Sequence, residues 1–105
     1  MQQSQEAQVE YLHGKLRILG PSQLQTTIDN LAYLRKLAKS DEEDAVLAAQ
    51  QAATMAQYHV VCAVTGERIA LSDLKYWNVS RQIPYIRPEI IPMDDFYPHL
   101  VVGSP

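Results

Sequence analysis

The sequence predicts an α+β fold: a small antiparallel β module with an inserted αα-hairpin and an extended C-terminal arm. Three observations carry that prediction. Between residues 22 and 57, apolar side chains recur at three-and-four spacing behind two serine caps, which is the period of an amphipathic helix. On either side lie short β-branched and aromatic runs with turn signals. Beyond Ile83, prolines at 84, 88, 92, 98 and 105 remove backbone donors and oppose helix. A chain of 105 residues, 47% hydrophobic and 20% charged, has the balance of one globular domain with a single core.

Residues 9–19 read as a β-hairpin. Val9 and Tyr11 share one face, Leu16 and Ile18 follow, and Gly14 supplies the positive φ that a tight turn between them requires. Gly20-Pro21 ends it. Ser22 with Gln25 three residues on forms a capping box for the first helix, whose stripe is Leu24, Ile28, Leu31, Leu34 or Arg35, and Ala38. Ser40 repeats the cap, and the acids Asp41 to Asp44 lie where a helix dipole presents positive charge. The second helix runs to Gln57 with a narrow stripe of Val46, Ala49, Ala53 and Ala56, small enough for close antiparallel packing on the first; Leu37, Leu47 and Met55 fall off that stripe as candidates for exposure.

Residues 58–87 form a β-rich segment: a strand from Tyr58, a Thr65-Gly66 turn, a strand ending near Leu71, then a brief turn and a strand over 74–79. Residues 88–105 read as an extended tail. Its apolar residues, Phe96 and Tyr97 among them, need a surface to cover, either a partner's groove or the domain's own Trp77 and Tyr85, with the partner slightly preferred.

Composition excludes several functions. A net charge of −3 removes any whole-domain attraction to nucleic acid or anionic lipid. No run approaches the roughly 20 apolar residues of a membrane span, and the first residues have no secretory pattern, so the expectation is a cytoplasmic protein. One cysteine forms no internal disulfide.

Catalytic and metal chemistry find little support. Cys62 is the natural nucleophile, yet a reactive thiolate needs a neighbouring cation or base, and His59 three residues away on a strand points to the other face. His13, His59, Cys62 and His99 each stand alone, unlike the paired ligands of a structural zinc site, so neither metal nor cofactor is expected. Asp94 and Asp95 read as solvated or partner-facing. The segment Lys75, Tyr76, Trp77, Arg81, Tyr85 and Arg87 interleaves cations with aromatics, a composition that anchors protein interfaces and also stacks on bases.

That C-terminal half resembles a family of short, uncharacterised bacterial proteins known only as a domain of unknown function. The resemblance rests on Cys62-Ala-Val-Thr-Gly66, Ile69-x-Leu71, Leu74-x-Tyr76-Trp77-x-Val79 and Arg81-Gln82-x-x-Tyr85. A second part lies upstream, in Tyr11-Leu-x-Gly14 and Ile18-Leu-x-Pro21, which implies that the helical hairpin is an insertion into a β module. The family implies no activity.

The reading is therefore a non-enzymatic interaction module, an accessory subunit, adaptor or inhibitor of a larger cytosolic complex. Its expected partner is another protein, bound through Lys75, Tyr76, Trp77, Arg81, Tyr85, Arg87, Phe96 and Tyr97. The alternative is a nucleic-acid or transcription-complex binder using the 75–87 segment, and a Cys62 enzyme is the least favoured.

Overall fold

Ten short strands and helices thread around one apolar cluster in the structure, a computed structural model that describes residues 4–95 and 100–102. The N-terminal strands β1 (Gln5–Glu6), β2 (Gln8–Leu12) and β3 (Lys15–Gly20) precede helices α1 (Leu24–Leu37) and α2 (Asp41–Ala56). Strands β4 (Tyr58–Val61), β5 (Arg68–Ala70), β6 (Tyr76–Asn78), β7 (Ile83–Tyr85) and β8 (Leu100–Val102) follow. They form an α+β architecture of three small sheets and an αα-hairpin, ordered β1-β4-β5, β2-β3 and β7-β6-β8. All pairings are antiparallel except β1 with β4.

The first hairpin forms where turn chemistry allows it. His13 and Gly14 take φ of 55° and 77°, the paired left-handed conformation whose twist matches that of the flanking strands. Pairing Val9 with Ile18 and Tyr11 with Leu16 then puts all four on one face against the core.

The first helix departs from its expected start. It begins at Leu24 behind Gln23, which makes no side-chain cap bond, so the Ser22–Gln25 capping box does not form. Gln25 is drawn elsewhere: its Oε1 accepts from the Ile18 amide at 2.7 Å, and its Nε2 donates to Asp29 at 2.8 Å. An unpaired strand amide on β3 competes for the carboxamide and wins, because a buried donor left open costs more than a frayed helix start. The Gly20-Pro21 peptide that precedes this helix is cis.

The second cap does form. Ser40 Oγ accepts from the Glu43 amide at 3.1 Å, and Glu43 reaches back to the Lys39 amide at 3.3 Å. The helices run antiparallel: Arg35 near the end of α1 meets Asp44 near the start of α2 at 2.9 Å, while Gln51, one turn before the end of α2, donates to the Ile28 carbonyl at 3.4 Å. Arg35 rather than Leu34 takes the inward position, leaving Leu34 exposed.

The stripe on α2 is not the alanine one. Asp44, Leu47, Ala48, Gln51 and Met55 face inward and are half-buried, whereas Val46, Ala49, Ala53 and Ala56 face solvent. The polar bonds of Asp44 and Gln51 set this rotation, about half a turn from the one expected from side-chain size alone.

The C-terminal segment is not an extended arm. Pro88–Ile90 and Met93–Asp95 are single turns of 3₁₀-helix, Ile91 and Asp95 are buried, and β8 pairs back onto β6 with Tyr76 opposite Val102. The described part of the tail thus covers its own domain, because Ile91 finds apolar burial and Asp95 a buried hydrogen-bond partner there.

Candidate functional site

The interleaved segment divides into a core and a rim. Residues Leu71–Asp73 make one 3₁₀ turn and Leu74 is buried, which sets the start of β6 against the core. Trp77 then falls inside at 4% exposure, and Tyr85, opposite Tyr76 on β7, at 1%. Lys75 and the Arg81 side chain face solvent, and Tyr76 is half-buried. Phe96 and Tyr97 lie outside the described residues.

The two aromatic anchors expected at a partner surface are therefore covered by the chain itself. Tyr85 Oη donates to Asp95 Oδ2; burial first, and then this carboxylate, raises the phenol above its ordinary value. Asp95 is consequently a core residue and not a solvated one. Arg81 Nη1 stands 4.0 Å from the same carboxylate, and Arg87 pairs with Glu67 at 2.7 Å across the turn between β4 and β5. The indole N–H of Trp77 is buried with no acceptor among the described residues.

Cys62 sits at the head of a tight turn. Its amide donates to the Glu67 carbonyl at 2.9 Å, its carbonyl accepts from the Gly66 amide at 3.0 Å, and Gly66 takes φ 75° to close the loop. Burial pushes the thiol up, but donors from Thr65, Val64 and Ile86 around the sulfur outweigh it and the net shift is downward. A thiolate is thus stabilised yet covered, since the residue is 2% exposed. His59 is buried as well, with Nδ1 hydrogen-bonded to Ser4 Oγ at 2.8 Å. His13 lies in the exposed first turn and His99 outside the described residues. Among the described residues no three His, Cys, Asp or Glu side chains gather as metal ligands would.

One residue that the chemistry reading passed over joins the two halves of the β module. Gln82, with φ 55°, closes the β6–β7 turn; its Oε1 accepts from the Tyr11 amide at 2.8 Å, and its Nε2 donates to the Tyr11 carbonyl at 2.9 Å and to the Val79 carbonyl at 2.7 Å. The carboxamide copies the donor and acceptor of a neighbouring strand. Asn78 steadies the same turn by accepting from the Arg81 amide at 3.0 Å.

Residues 57–92 match a family of uncharacterized proteins conserved in bacteria (DUF2093). The matched segment begins where α2 ends and contains Cys62, Trp77, Gln82 and Tyr85. It excludes the upstream stretch Tyr11 to Pro21, which joins the segment through the Gln82 clasp and through Tyr11, Leu16 and Ile18 in the shared apolar cluster. No curated protein and no solved structure matches the chain.

Outside that segment, the helical hairpin exposes several large apolar side chains. Tyr33, Leu34, Leu37 and Val46 are exposed by 61, 46, 55 and 59%. No helix among the described residues is long and apolar enough to cross a membrane.

Proposed function

We propose that this chain is a non-enzymatic protein-interaction module, an accessory subunit, adaptor or inhibitor of a larger cytosolic complex, and that its contact surface is the outer face of the helical hairpin. The observation that carries this reading is the exposure of Leu34, Leu37 and Val46, which helical spacing places on one side of the hairpin near its end. The family segment supplies the scaffold: its Trp77 and Tyr85 are spent on the core, and the hairpin packs on it along one side, with Leu24, Ile28 and Met55. Nucleic acid is the weaker partner, since Trp77 and Tyr85 are too buried to stack on bases and Arg87 is engaged by Glu67.

A photoreactive residue at position 37, compared with one at the exposed Arg68 on β5, tests the surface in the living cell. A discrete adduct from position 37 alone is expected. Adducts of equal yield from both positions, or none from position 37, overturn the assignment.

A further inference from the structure

Buried polar side chains outside the apolar cluster gather on the third sheet. On β6, Trp77 turns into the cluster, so Tyr76 and Asn78 lie on the other face of the strand, and Tyr85, paired opposite Tyr76, shares it. Asn78, Tyr85 and Asp95 are all buried, yet none belongs to the apolar cluster. They form a relay. Asn78 Oδ1 accepts from the Arg81 amide at 3.0 Å, its side chain adjoins the Tyr85 phenol oxygen, and that phenol donates to Asp95 Oδ2. The Arg81 guanidinium stands 4.0 Å from the same carboxylate and is 65% exposed. A buried tyrosine donor with an arginine at its rim makes a receptor for a carboxylate.

The receptor and its occupant belong to different parts of the chain. Asn78, Arg81 and Tyr85 lie inside the family segment, whereas Asp95 follows it, set in place by a turn in which its amide donates to the Pro92 carbonyl at 2.9 Å. Beyond Asp95, β8 pairs antiparallel with β6 as the edge strand of its sheet. Lifting both leaves β6 with an open edge beside an empty receptor. An open edge is a template for another strand. A buried Tyr85 hydroxyl without an acceptor costs more than the bond itself contributes, so a substitute must bring a carboxylate as well as a strand.

We propose that the turn at 92–95 and β8 together are a strap that closes, in cis, a docking site for an extended acidic peptide of another protein. The incoming segment pairs antiparallel with β6 in place of β8 and sets an Asp or Glu carboxylate on Tyr85 and Arg81 in place of Asp95. This is strand addition with one side-chain pocket setting specificity. The site is separate from the outer face of the hairpin and does not depend on it.

Fluorescence anisotropy gives the test, with a labelled synthetic peptide of residues 91–105 added to the full-length chain and to its Asp95→Ala variant. The variant, its own latch removed, is expected to bind the peptide about tenfold more tightly than the wild type does. The same peptide carrying Asp95→Ala is expected to bind the variant about tenfold more weakly. Adding Tyr85→Phe to the variant chain removes most of the difference between the two peptides, an effect that a merely structural tyrosine would not have. In the wild type, amide exchange is expected to release β8 before β4 and β5. Absence of peptide binding by the variant, equal binding of the two peptides or of a scrambled one, or exchange of β8 only together with β4 and β5 overturns the proposal. So does a variant that fails to fold, since the strap is then part of the core. A wild-type dimer abolished by Asp95→Ala would give the site to a second copy's strap and refute the partner named here.

Discussion

The matched segment and the helical hairpin are of similar length and use their apolar residues in opposite ways. Within residues 57–92, Val60, Cys62, Ile69, Leu71, Leu74, Trp77, Tyr85 and Ile91 are all buried, along with the polar His59 and Asn78. In the two helices only Leu24 is. The segment reaches this with strands of three or four residues, too short to be stable by themselves, by closing sharp turns at Gly66 and Gln82 that fold it onto its own side chains. The helices satisfy their backbones internally and pack on the core along one side only, so the apolar side chains of the other remain exposed. The comparison separates a part that supplies most of the core from a part that leaves most of its apolar side chains partly or fully exposed.

The sharpest way to break the comparison is to delete the same side chain in each region. Leu71 is fully buried and Leu37 is 55% exposed. Leu71→Ala removes a packed isobutyl group and leaves a cavity, an expected loss of about 3 kcal/mol. Leu37→Ala is expected to stay within about 0.5 kcal/mol. Urea denaturation measures both, and comparable losses at the two sites would show that the hairpin is part of the core.

A smaller effect is expected at the joint between the regions. Gln82→Ala leaves the Tyr11 amide and carbonyl without their shared partner, at a cost of about 1–3 kcal/mol. Gln82→Gly relieves the left-handed backbone and still loses the clasp, so it is expected to recover only part of that loss. Amide exchange distinguishes this from general destabilisation: the Tyr11 amide loses protection first, ahead of those of β4 and β5. Uniform loss across all strands would mean that Gln82 acts on the core and not on the hairpin it holds.

Much of this architecture was legible because it is local. The two helices, the His13-Gly14 turn, the Thr65-Gly66 turn and the strand across Tyr76 and Trp77 follow from spacing and turn chemistry over a few residues. What was not legible depended on contacts distant in sequence. The rotation of α2 is set by Asp44 and Gln51 reaching Arg35 and Ile28, and size alone pointed to the alanines. The fate of the tail turned on Tyr85 finding Asp95, and on β8 finding β6. Trp77 and Tyr85 have the composition of an interface and the positions of a core, a distinction that only burial makes. Gln82 carried one signal, its place directly after Arg81 in the motif on which the family resemblance rests.

The two serine caps sharpen the same lesson at the smallest scale. In sequence they are equivalent, each a serine followed three residues later by a residue able to reach back. In the structure only Ser40 accepts the amide that a cap should accept, while Gln25 has left Ser22 for Ile18. Ser40→Ala therefore removes a real bond and is expected to cost about 1 kcal/mol. Ser22→Ala removes none and is expected to stay within about 0.5 kcal/mol. Equal costs, measured by thermal or urea unfolding, would show that Ser22 caps α1 in solution and that the Gln25 contact to Ile18 is the weaker one. Unequal costs in the expected order locate the difference where the physics puts it: a cap forms when nothing buried competes for its groups, and the unpaired strand amide beside Gln25 is such a competitor.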